Sequence, residues 1–457
     1  MSLLWPHQEE ALRLIEQHEG FLVAHEMGCG KTRTVLSYIE RHAPQHTLVI
    51  CPKSVIPVWI DEIAKGQYPF ICVPLIGSAT AKIKAFFRHK GAQPRPVITL
   101  VNYDSARAGD VATALLAREW DLVVLDEIHR IKDPRSLQSL FCSKLRTRAA
   151  KRIGLTGTPM PHSPLDIWAQ YRFLDPDIFD KQYGAFRWKY GVVEAKRFGG
   201  ARPVPVVTGY RDLDDLHEHV YRIAHRVKTV DVLKLTGTTH QVRYVEMPPT
   251  SRRIYREMMT HLIAEVDDGV VSAANALVKI LRLAQIASGH CRFDDDPVST
   301  PLDLEKQDVL VEMLDEIGAD EPVAVFCRFH ADLDSIIKAA ERAGRPSAEL
   351  SGRVNTVGSP WRPEPGTVAA IQYQAGSVGI DLTATHHLVC WNQTQSFGNY
   401  EQCICRVQRP GQAHPVVITH LITADSVDVL MRQVLIERRD LISCVLDKLK
   451  SEMETAV

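Results

Sequence analysis

A short glycine-containing run near the N-terminus has the composition of a phosphate-binding loop. Residues 27–32, Met-Gly-Cys-Gly-Lys-Thr, follow an apolar strand candidate at 21–24 and precede a helical pattern. Glycines let main-chain N–H groups approach phosphate oxygens, and a helix N-terminus favours negative charge. In such a loop the lysine contacts the β- and γ-phosphates, and the hydroxyl after it binds magnesium. We therefore predict ATP-binding roles for Gly28, Gly30, Lys31 and Thr32, with Thr32 also a metal ligand.

Two carboxylates follow another apolar run farther along the chain. Asp126 and Glu127 come directly after residues 122–125, so they should project from the carboxyl end of a buried strand. Beside a phosphate loop, Asp126 would hold magnesium and Glu127 would polarise the attacking water. The combination predicts hydrolysis of ATP with Mg²⁺ as cofactor. Thr156 and Thr158 close the next strand candidate and could sense this site, although an ordinary turn is an equal alternative.

Two arginines late in the chain complete the groups that phosphoryl transfer requires. Arg406 and Arg409 are three residues apart, which would place them on one face of a helix. Guanidinium groups suit the charge that spreads over a transferring phosphoryl group. Because these arginines are far along the chain from the phosphate loop, we expect an ATP site closed between two lobes, so that hydrolysis can become motion.

Two series of short apolar runs predict an α/β fold. Runs without alternation are typical of strands buried on both faces, hence of parallel sheets covered by helices. We predict an N-terminal lobe over 1–235, with a helical insertion at about 165–235, and a C-terminal lobe over 236–457. The second lobe should contain helices at about 250–290 and a charged helix from 426 to the C-terminus. The strand candidates are residues 21–24, 47–50, 97–100, 122–125, 152–156, 323–326, 368–371, 387–390 and 416–419.

The composition is that of a globular protein and excludes several other classes. A chain of 457 residues suits two or three domains, and 45% hydrophobic with 24% charged residues is ordinary for such proteins. No apolar stretch is long enough for a membrane span and no secretory signal is visible, so we expect a cytoplasmic location. The ten cysteines lack a zinc-type spacing and are interpreted as reduced thiols. The net charge of −1 does not indicate a partner.

Taken in order, these runs resemble the motifs of the SNF2 group of superfamily 2 helicase-like ATPases. The resemblance extends over nearly the whole chain, and the acidic, glycine-aspartate and arginine motifs together are far more specific than any one of them. The segments similar to motifs Q, I, Ia, Ib, II, III, IV, V and VI are residues 4–8, 25–32, 49–59, 102–104, 126–132, 155–159, 325–329, 375–383 and 402–412.

The resemblance implies two RecA-like lobes, with duplex DNA lying across both and single-stranded DNA as a second candidate. It implies that Gln8 contacts adenine, that Gly379 and Asp381 bind nucleotide, and that Arg409 is an arginine finger. Basic side chains would neutralise phosphates, while hydroxyl and amide groups would fix register without reading bases. The DNA-contact candidates are Lys53, Ser54, Asn102, Tyr103, Arg130, Arg328 and Ser377.

The chain departs from the family pattern at several positions. His25 and Gln408 replace a usual aspartate and histidine, Pro410 replaces an aliphatic residue, and the segment 349–368 is short. None of these changes removes a phosphate or magnesium contact. We therefore still expect ATP hydrolysis, stimulated by duplex DNA. No histone-reading module, zinc finger or nuclease motif is evident beside the two lobes, which suggests a minimal bacterial or phage-type motor.

Two other functions remain open at this point. The first is a strand-separating DNA or RNA helicase, although no wedge element is evident. The second is a DNA-binding scaffold whose activity depends on a protein partner that the sequence does not identify. The insertion at about 165–235 could bind DNA or be purely structural.

Overall fold

Two separate parallel sheets carry the predicted strand series, which confirms the predicted α/β class with two RecA-like lobes. The computed structural model describes residues 4–89, 95–161, 163–196, 204–232, 237–267, 273–291, 300–302, 305–353, 362–374, 380–394, 397–409 and 411–437. The chain divides into two units. The first comprises Met1–Glu194 and Val206–Lys234, and the second comprises Ala195–Pro205 and Leu235–Val457.

The first unit is built on a seven-stranded sheet in the order β3-β4-β2-β5-β6-β1-β9, with all neighbours parallel. Its central strands are buried along almost their whole length, because helices cover both faces. The strands are β1 Gly20–His25, β2 His46–Cys51, β3 Ile71–Pro74, β4 Val97–Asn102, β5 Trp120–Asp126, β6 Ala149–Leu155 and β9 Ala224–Val227.

The helices of the first unit connect these strands and cover the sheet. Short 3₁₀ helices occur at Lys53–Val55, Ile128–Ile131, Arg146–Arg148 and Pro164–Asp166. The α-helices are α1 Pro6–Gln17, α2 Lys31–His42, α3 Ile56–Lys65, α4 Ala79–Arg88, α5 Tyr103–Ala106, α6 Gly109–Leu116, α7 Leu137–Leu145, α8 Ile167–Leu174, α9 Tyr183–Tyr190, α10 Leu213–Tyr221 and α11 Thr229–Val232.

The predicted helical insertion at about 165–235 is only partly helical. It contains helices α8 to α11, but also a two-stranded sheet formed by β7 Gly191–Lys196 and β8 Val204–Tyr210. Both strands hold valine pairs, whose β-branched side chains favour extended backbone. Strand β9 comes from the same stretch and extends the main sheet beside β1. The helical prediction for the whole insertion is therefore wrong, because aromatic spacing hid these short strands.

The second unit has a six-stranded sheet in the order β10-β17-β16-β13-β15-β14, again parallel throughout. All four predicted strands are present, and β10 and β14 are additional edge strands. The six strands are β10 Thr238–Val245, β13 Val323–Cys327, β14 Ser347–Leu350, β15 Val368–Gln372, β16 His387–Cys390 and β17 Val416–Thr423. A separate antiparallel pair is formed by β11 His290–Cys291 and β12 Thr300–Pro301.

The helices of the second unit include the pair predicted at about 250–290. Of the predicted C-terminal helix, the described part is α17, and residues 438–457 lie outside the described part of the chain. Among the described helices, none has the length and apolar character needed to cross a bilayer. The helices are α12 Pro249–Asp267, α13 Ala273–Ala287, α14 Glu305–Glu316, α15 His330–Arg342, α16 Phe397–Val407 and α17 Val427–Glu437.

Candidate active site

The phosphate loop joins β1 to α2 and depends on two left-handed residues. Gly28 and Gly30 have φ angles of 83° and 76°, a region that costs energy for residues with a side chain. A Cβ atom on Gly30 would also lie 2.2 Å from Nε2 of Gln8. Helix α2 begins directly after Gly30, so the loop ends at a helix N-terminus, where anions are favoured.

Two side chains from α1 hold the loop by its carbonyl groups. His7 donates from Nε2 to the carbonyl oxygen of Cys29 at 2.9 Å, and Gln8 donates from Nε2 to that of Gly30 at 3.2 Å. In a planar trans peptide the N–H points opposite to the preceding C=O. The amides of Gly30 and Lys31 therefore point away from α1, as a phosphate cradle requires.

Gln8, predicted to contact adenine, is fully engaged with the protein on both sides of its amide group. Besides its bond to the loop, its Oε1 accepts from the main-chain N–H of Trp5 at 2.9 Å, and the side chain is buried. The contacts make Gln8 a link between the start of α1 and the loop. A contact to adenine stays a prediction.

Lys31 and the two predicted carboxylates share one edge of the sheet. The Lys31 Nζ donates to the carbonyl oxygen of His25 at 2.9 Å, and its charge acts on both Asp126 and Glu127. Asp126 is the last residue of β5 and Lys31 follows the loop after β1, with β6 between these strands. The carboxyl ends of parallel strands thus bring together residues that are far apart in sequence.

Asp126 is a buried carboxylate with a fixed orientation. Its Oδ2 accepts a hydrogen bond from Trp59 Nε1 at 2.9 Å. Burial, together with the charge of Glu127, raises the pKa of Asp126. A divalent cation would favour the ionised form at this position, and carboxylate and hydroxyl oxygens are ligands that Mg²⁺ accepts. Asp126 thus has the chemistry of a Mg²⁺ ligand, and a magnesium site formed by Asp126 and Thr32 stays a prediction.

Glu127 has a strained backbone and a charged side chain. Its φ of 55° lies in the left-handed region, which a residue with a side chain occupies only when its surroundings impose it. Burial alone would raise the pKa of Glu127, but the hydrogen bond and charge of His129, aided by Lys31 and Arg130, lower it. The residue is therefore held as a carboxylate, the form that can polarise a water molecule.

His129 connects Glu127 to the turn that follows β6. Its Nδ1 lies 3.3 Å from Glu127 Oε2 and 2.9 Å from Thr156 Oγ1. The same hydroxyl accepts from the main-chain N–H of Thr158 at 3.1 Å. A change at the carboxylate can therefore reach the threonine turn through one imidazole ring. His129 is a functional candidate that the sequence prediction did not single out.

Three of the predicted DNA contacts lie at the same edge of the first sheet. Lys53 follows β2, Asn102 is the last residue of the adjacent strand β4, and Arg130 follows β5. Lys53 and Arg130 are exposed, and Asn102 is half-buried. These positions leave the predicted contacts with a phosphate backbone available.

Tyr103 does not fit its predicted role. It is 3% exposed, and its hydroxyl donates to the main-chain carbonyl of Asp126 at 2.9 Å. Burial raises the pKa of Tyr103 well above its ordinary value. The residue fixes the end of β5 from inside the core, because its aromatic ring is more stable there than at the surface. The side chain of Ser54 lies outside the described part of the chain.

The structure describes some of the predicted site residues of the second unit. Arg406 lies on α16, but the helix ends at Val407, so Arg409 is outside it. Proline at 410 disfavours helical backbone in the residue before it, which explains why one helix face does not carry both arginines. Asp381 forms an ion pair with Arg362 at 2.6 Å. Gly379 and Ser377 lie outside the described residues.

Arg328 is half-buried at the end of β13. Its guanidinium lies 5.3 Å from the centre of the Phe329 ring, and burial lowers its pKa. Nη1 is enclosed and has no hydrogen-bond partner among the described residues. Whether Arg328 contacts DNA stays a prediction.

A histidine pair replaces the usual aspartate beside the loop. His25 is fully buried, and its Nε2 lies 3.0 Å from Nδ1 of His225 on β9. The ring of His7 is 5.4 Å from that of His25. Burial, with the charges of His225, His7 and Lys31, lowers the pKa of His25 to about 2. His25 is therefore neutral in the folded protein, and no local sequence pattern indicates its pairing with His225.

Comparison with known families agrees with this geometry. Residues 7–292, more than half of the chain, match the SNF2-related domain. The chain belongs to this family. The resemblance inferred from the motifs is thus confirmed, and membership in the SNF2 family implies ATP binding and hydrolysis.

Similar proteins differ greatly in length. The SNF2 chain is 26% identical over 455 residues to protein p41 of Acyrthosiphon pisum secondary endosymbiont phage 1, covering 94% of each. It is 23% identical to the human DNA repair and recombination protein RAD54-like, covering 98% of this chain and 67% of that protein. It spans only 30% of human DNA excision repair protein ERCC-6 and 36% of Arabidopsis thaliana CHROMATIN REMODELING 19.

A solved structure is also similar. The Sulfolobus solfataricus SWI2/SNF2 ATPase core in complex with dsDNA gives a TM-score of 0.45 at 20% identity, covering 95% of this chain and 91% of that chain.

The buried histidine predicts an acid sensitivity of the first unit. Because the folded-state pKa of His25 lies below the unfolded value of about 6.5, the unfolded chain takes up the proton first, and stability is lost as pH falls below about 6.5. The expected loss is up to about 1.4 kcal/mol per pH unit for this group. The free energy of unfolding is measured by urea denaturation at several pH values between about 7 and 5. It should fall less steeply with decreasing pH in His25→Asn than in the wild type, whereas an equal pH dependence would contradict the assignment.

Proposed function

We propose that this SNF2-family protein is a DNA-stimulated ATPase that couples hydrolysis to translocation along duplex DNA. The observation that carries the proposal is the grouping of Lys31, Asp126 and Glu127 at one sheet edge, with Glu127 held as a carboxylate by His129. Phosphoryl transfer to water requires a cation for the phosphates, a carboxylate that can bind a metal ion and an ionised base for the water.

The ATP-site residues of the first unit have separate roles in the proposed reaction. Lys31 and the loop amides bind the β- and γ-phosphates, and Glu127 orients and polarises the attacking water. Thr32 and Asp126 would hold Mg²⁺, which supplies charge neutralisation on the phosphate oxygens. His129 keeps Glu127 ionised and relays its state to Thr156.

In the second unit, Arg406 and Arg409 are proposed to stabilise the charge of the transferring phosphoryl group. Asp381 and Gly379 are proposed to contribute to nucleotide binding. Asp381 is anchored by Thr383 as well as by Arg362, which suits a positioning role.

A duplex substrate is supported by the exposed cations and by the names of relatives. Asn102, Lys53 and Arg130 lie at the ends of the neighbouring strands β4, β2 and β5, at the edge that also carries the carboxylates. DNA moving along this edge would therefore be coupled to hydrolysis. The RAD54-like relative is described as a DNA repair and recombination protein. Without a base-reading element among these groups, contacts to phosphates would give binding that is independent of sequence and sensitive to salt.

ATP hydrolysis should therefore depend on Glu127 and on duplex DNA. Hydrolysis is measured without nucleic acid, and with single-stranded DNA, duplex DNA or RNA. We expect duplex DNA to stimulate most, and Glu127→Gln to lower the stimulated kcat by about 10² to 10⁴ while ATP still binds. Lys31→Ala serves as the control for contaminating activity.

Other patterns of stimulation would select another function. A preference for single strands or RNA, together with strand displacement, would replace the proposal by the helicase alternative. No turnover with any nucleic acid would favour a DNA-binding scaffold that depends on a partner.

Arg409 should act on the chemical step and not on DNA binding. Arginines in this role contribute about 10³ to 10⁵ to kcat, so Arg409→Ala should reduce stimulated hydrolysis by at least about 10³ while DNA affinity persists. Arg342→Ala is the matched control, because Arg342 is an exposed arginine of the same unit that forms a surface ion pair with Asp308. Unchanged hydrolysis in Arg409→Ala would refute the assigned role.

A further inference from the structure

The strand β9 reaches the phosphate loop from about 200 residues later in the chain. It pairs with β1 from Leu22↔Ala224 to His25↔Val227, and the N–H of Glu26 then donates to the carbonyl of Val227 at 2.9 Å. The strand is followed at once by α11, whose first residue is Thr229. The phosphate loop is therefore bordered on this side by a segment that belongs to none of the recognised motifs.

Thr229 makes two hydrogen bonds to the start of the loop. Its main-chain N–H donates to Glu26 Oε2 at 2.8 Å, and its hydroxyl donates to the carbonyl oxygen of Met27 at 3.0 Å. The hydroxyl also lies 3.7 Å from the sulfur of the buried Cys29. Thr229 is 7% exposed, so these contacts are shielded from solvent, where a lost hydrogen bond is costly.

The bond to Met27 fixes a peptide plane that a phosphate would contact. Because the peptide is planar and trans, holding the Met27 carbonyl towards Thr229 turns the N–H of Gly28 the opposite way. From the α1 side, His7 and Gln8 do the same for the Cys29–Gly30 and Gly30–Lys31 peptides. Gly28 has little intrinsic preference for one backbone conformation, so an external bond has to select the orientation.

We propose that Thr229 is a positioning residue of the ATP site, which sets the Gly28 amide for phosphate binding through its hydroxyl. The proposal rests on ATP use by this site. It assigns a role to β9 and α11, a segment with no phosphate-binding pattern of its own. The phosphate contact made by Gly28 is the same in the ground state and in the transition state, so its loss weakens binding and leaves the chemical step intact.

Thr229→Val tests the hydroxyl while preserving shape and the main-chain bond to Glu26. We expect Kd for ATP and ADP and the KM for ATP to rise about five- to tenfold, with kcat at saturating ATP nearly unchanged. Thr229→Ser retains a hydroxyl and should restore the wild-type values. Thr47→Val is the matched control, since Thr47 is a fully buried hydroxyl of the same sheet with no partner among the described residues.

Nucleotide binding is measured first without DNA, using a fluorescent ADP analogue. If the wild type binds no nucleotide, the proposed function fails. If the wild type binds and Thr229→Val binds equally well, only the role of Thr229 is refuted. Equal losses in Thr229→Val and Thr47→Val would also refute it, because the effect would then follow from any buried hydroxyl.

Hydrogen exchange separates positioning from a general loss of stability. In Thr229→Val with ADP bound, exchange should rise in the peptide that covers residues 26–34 and stay unchanged in β2, β4 and β5. A uniform rise across the first unit would overturn the proposal. If Thr229→Val does not fold, Thr229→Ala and Thr229→Ser provide the same comparison.

Discussion

The orientation of the peptide groups in the phosphate loop is the constraint on which the first unit depends. Two glycines permit the loop conformation, but they do not select it, because glycine can adopt many backbone conformations and loses more conformational entropy on folding than other residues. Selection comes from side chains that hold the loop carbonyls, namely His7 and Gln8 on one side and Thr229 on the other. The two sides are supplied by α1 and by α11, which follows β9, and these elements are distant in sequence.

Burial determines the charge states at the carboxylate corner, the end of β5 that carries Asp126 and Glu127. Two acidic residues in succession cannot both be ionised at low cost in a buried site. The structure separates them by giving Glu127 a histidine partner and the charges of Lys31 and Arg130, while Asp126 accepts from the indole N–H of Trp59 and is acted on by the charge of Lys31. The positive φ of Glu127 turns its side chain at the strand end, and Tyr103 secures that end through the Asp126 carbonyl. Strain and burial at this corner are offset by the well-packed sheet behind it.

Much of the fold was predictable because long, buried parallel strands have a simple pattern. All nine strand candidates are strands in the structure. The acidic residues and the phosphate loop lie at the carboxyl ends of β5 and β1, as predicted. The short strands β7, β8 and β9 were missed, since four to seven residues amid aromatic spacing give no clear period. Contacts such as His25 with His225 and Thr229 with Met27 join residues about 200 positions apart, and no local pattern encodes them. For Tyr103 the motif position predicted a DNA contact at the surface, but the ring is buried in the core.

Membership in the SNF2 family implies ATP hydrolysis, and the central proposal is that the protein uses it to move on duplex DNA without separating the strands. The most direct test is displacement of a third strand from a duplex, with Glu127→Gln as the control. The account predicts ATP-dependent release of the third strand by the wild type only, with the two duplex strands still paired. Hydrolysis without release, or separation of the duplex itself, would contradict it.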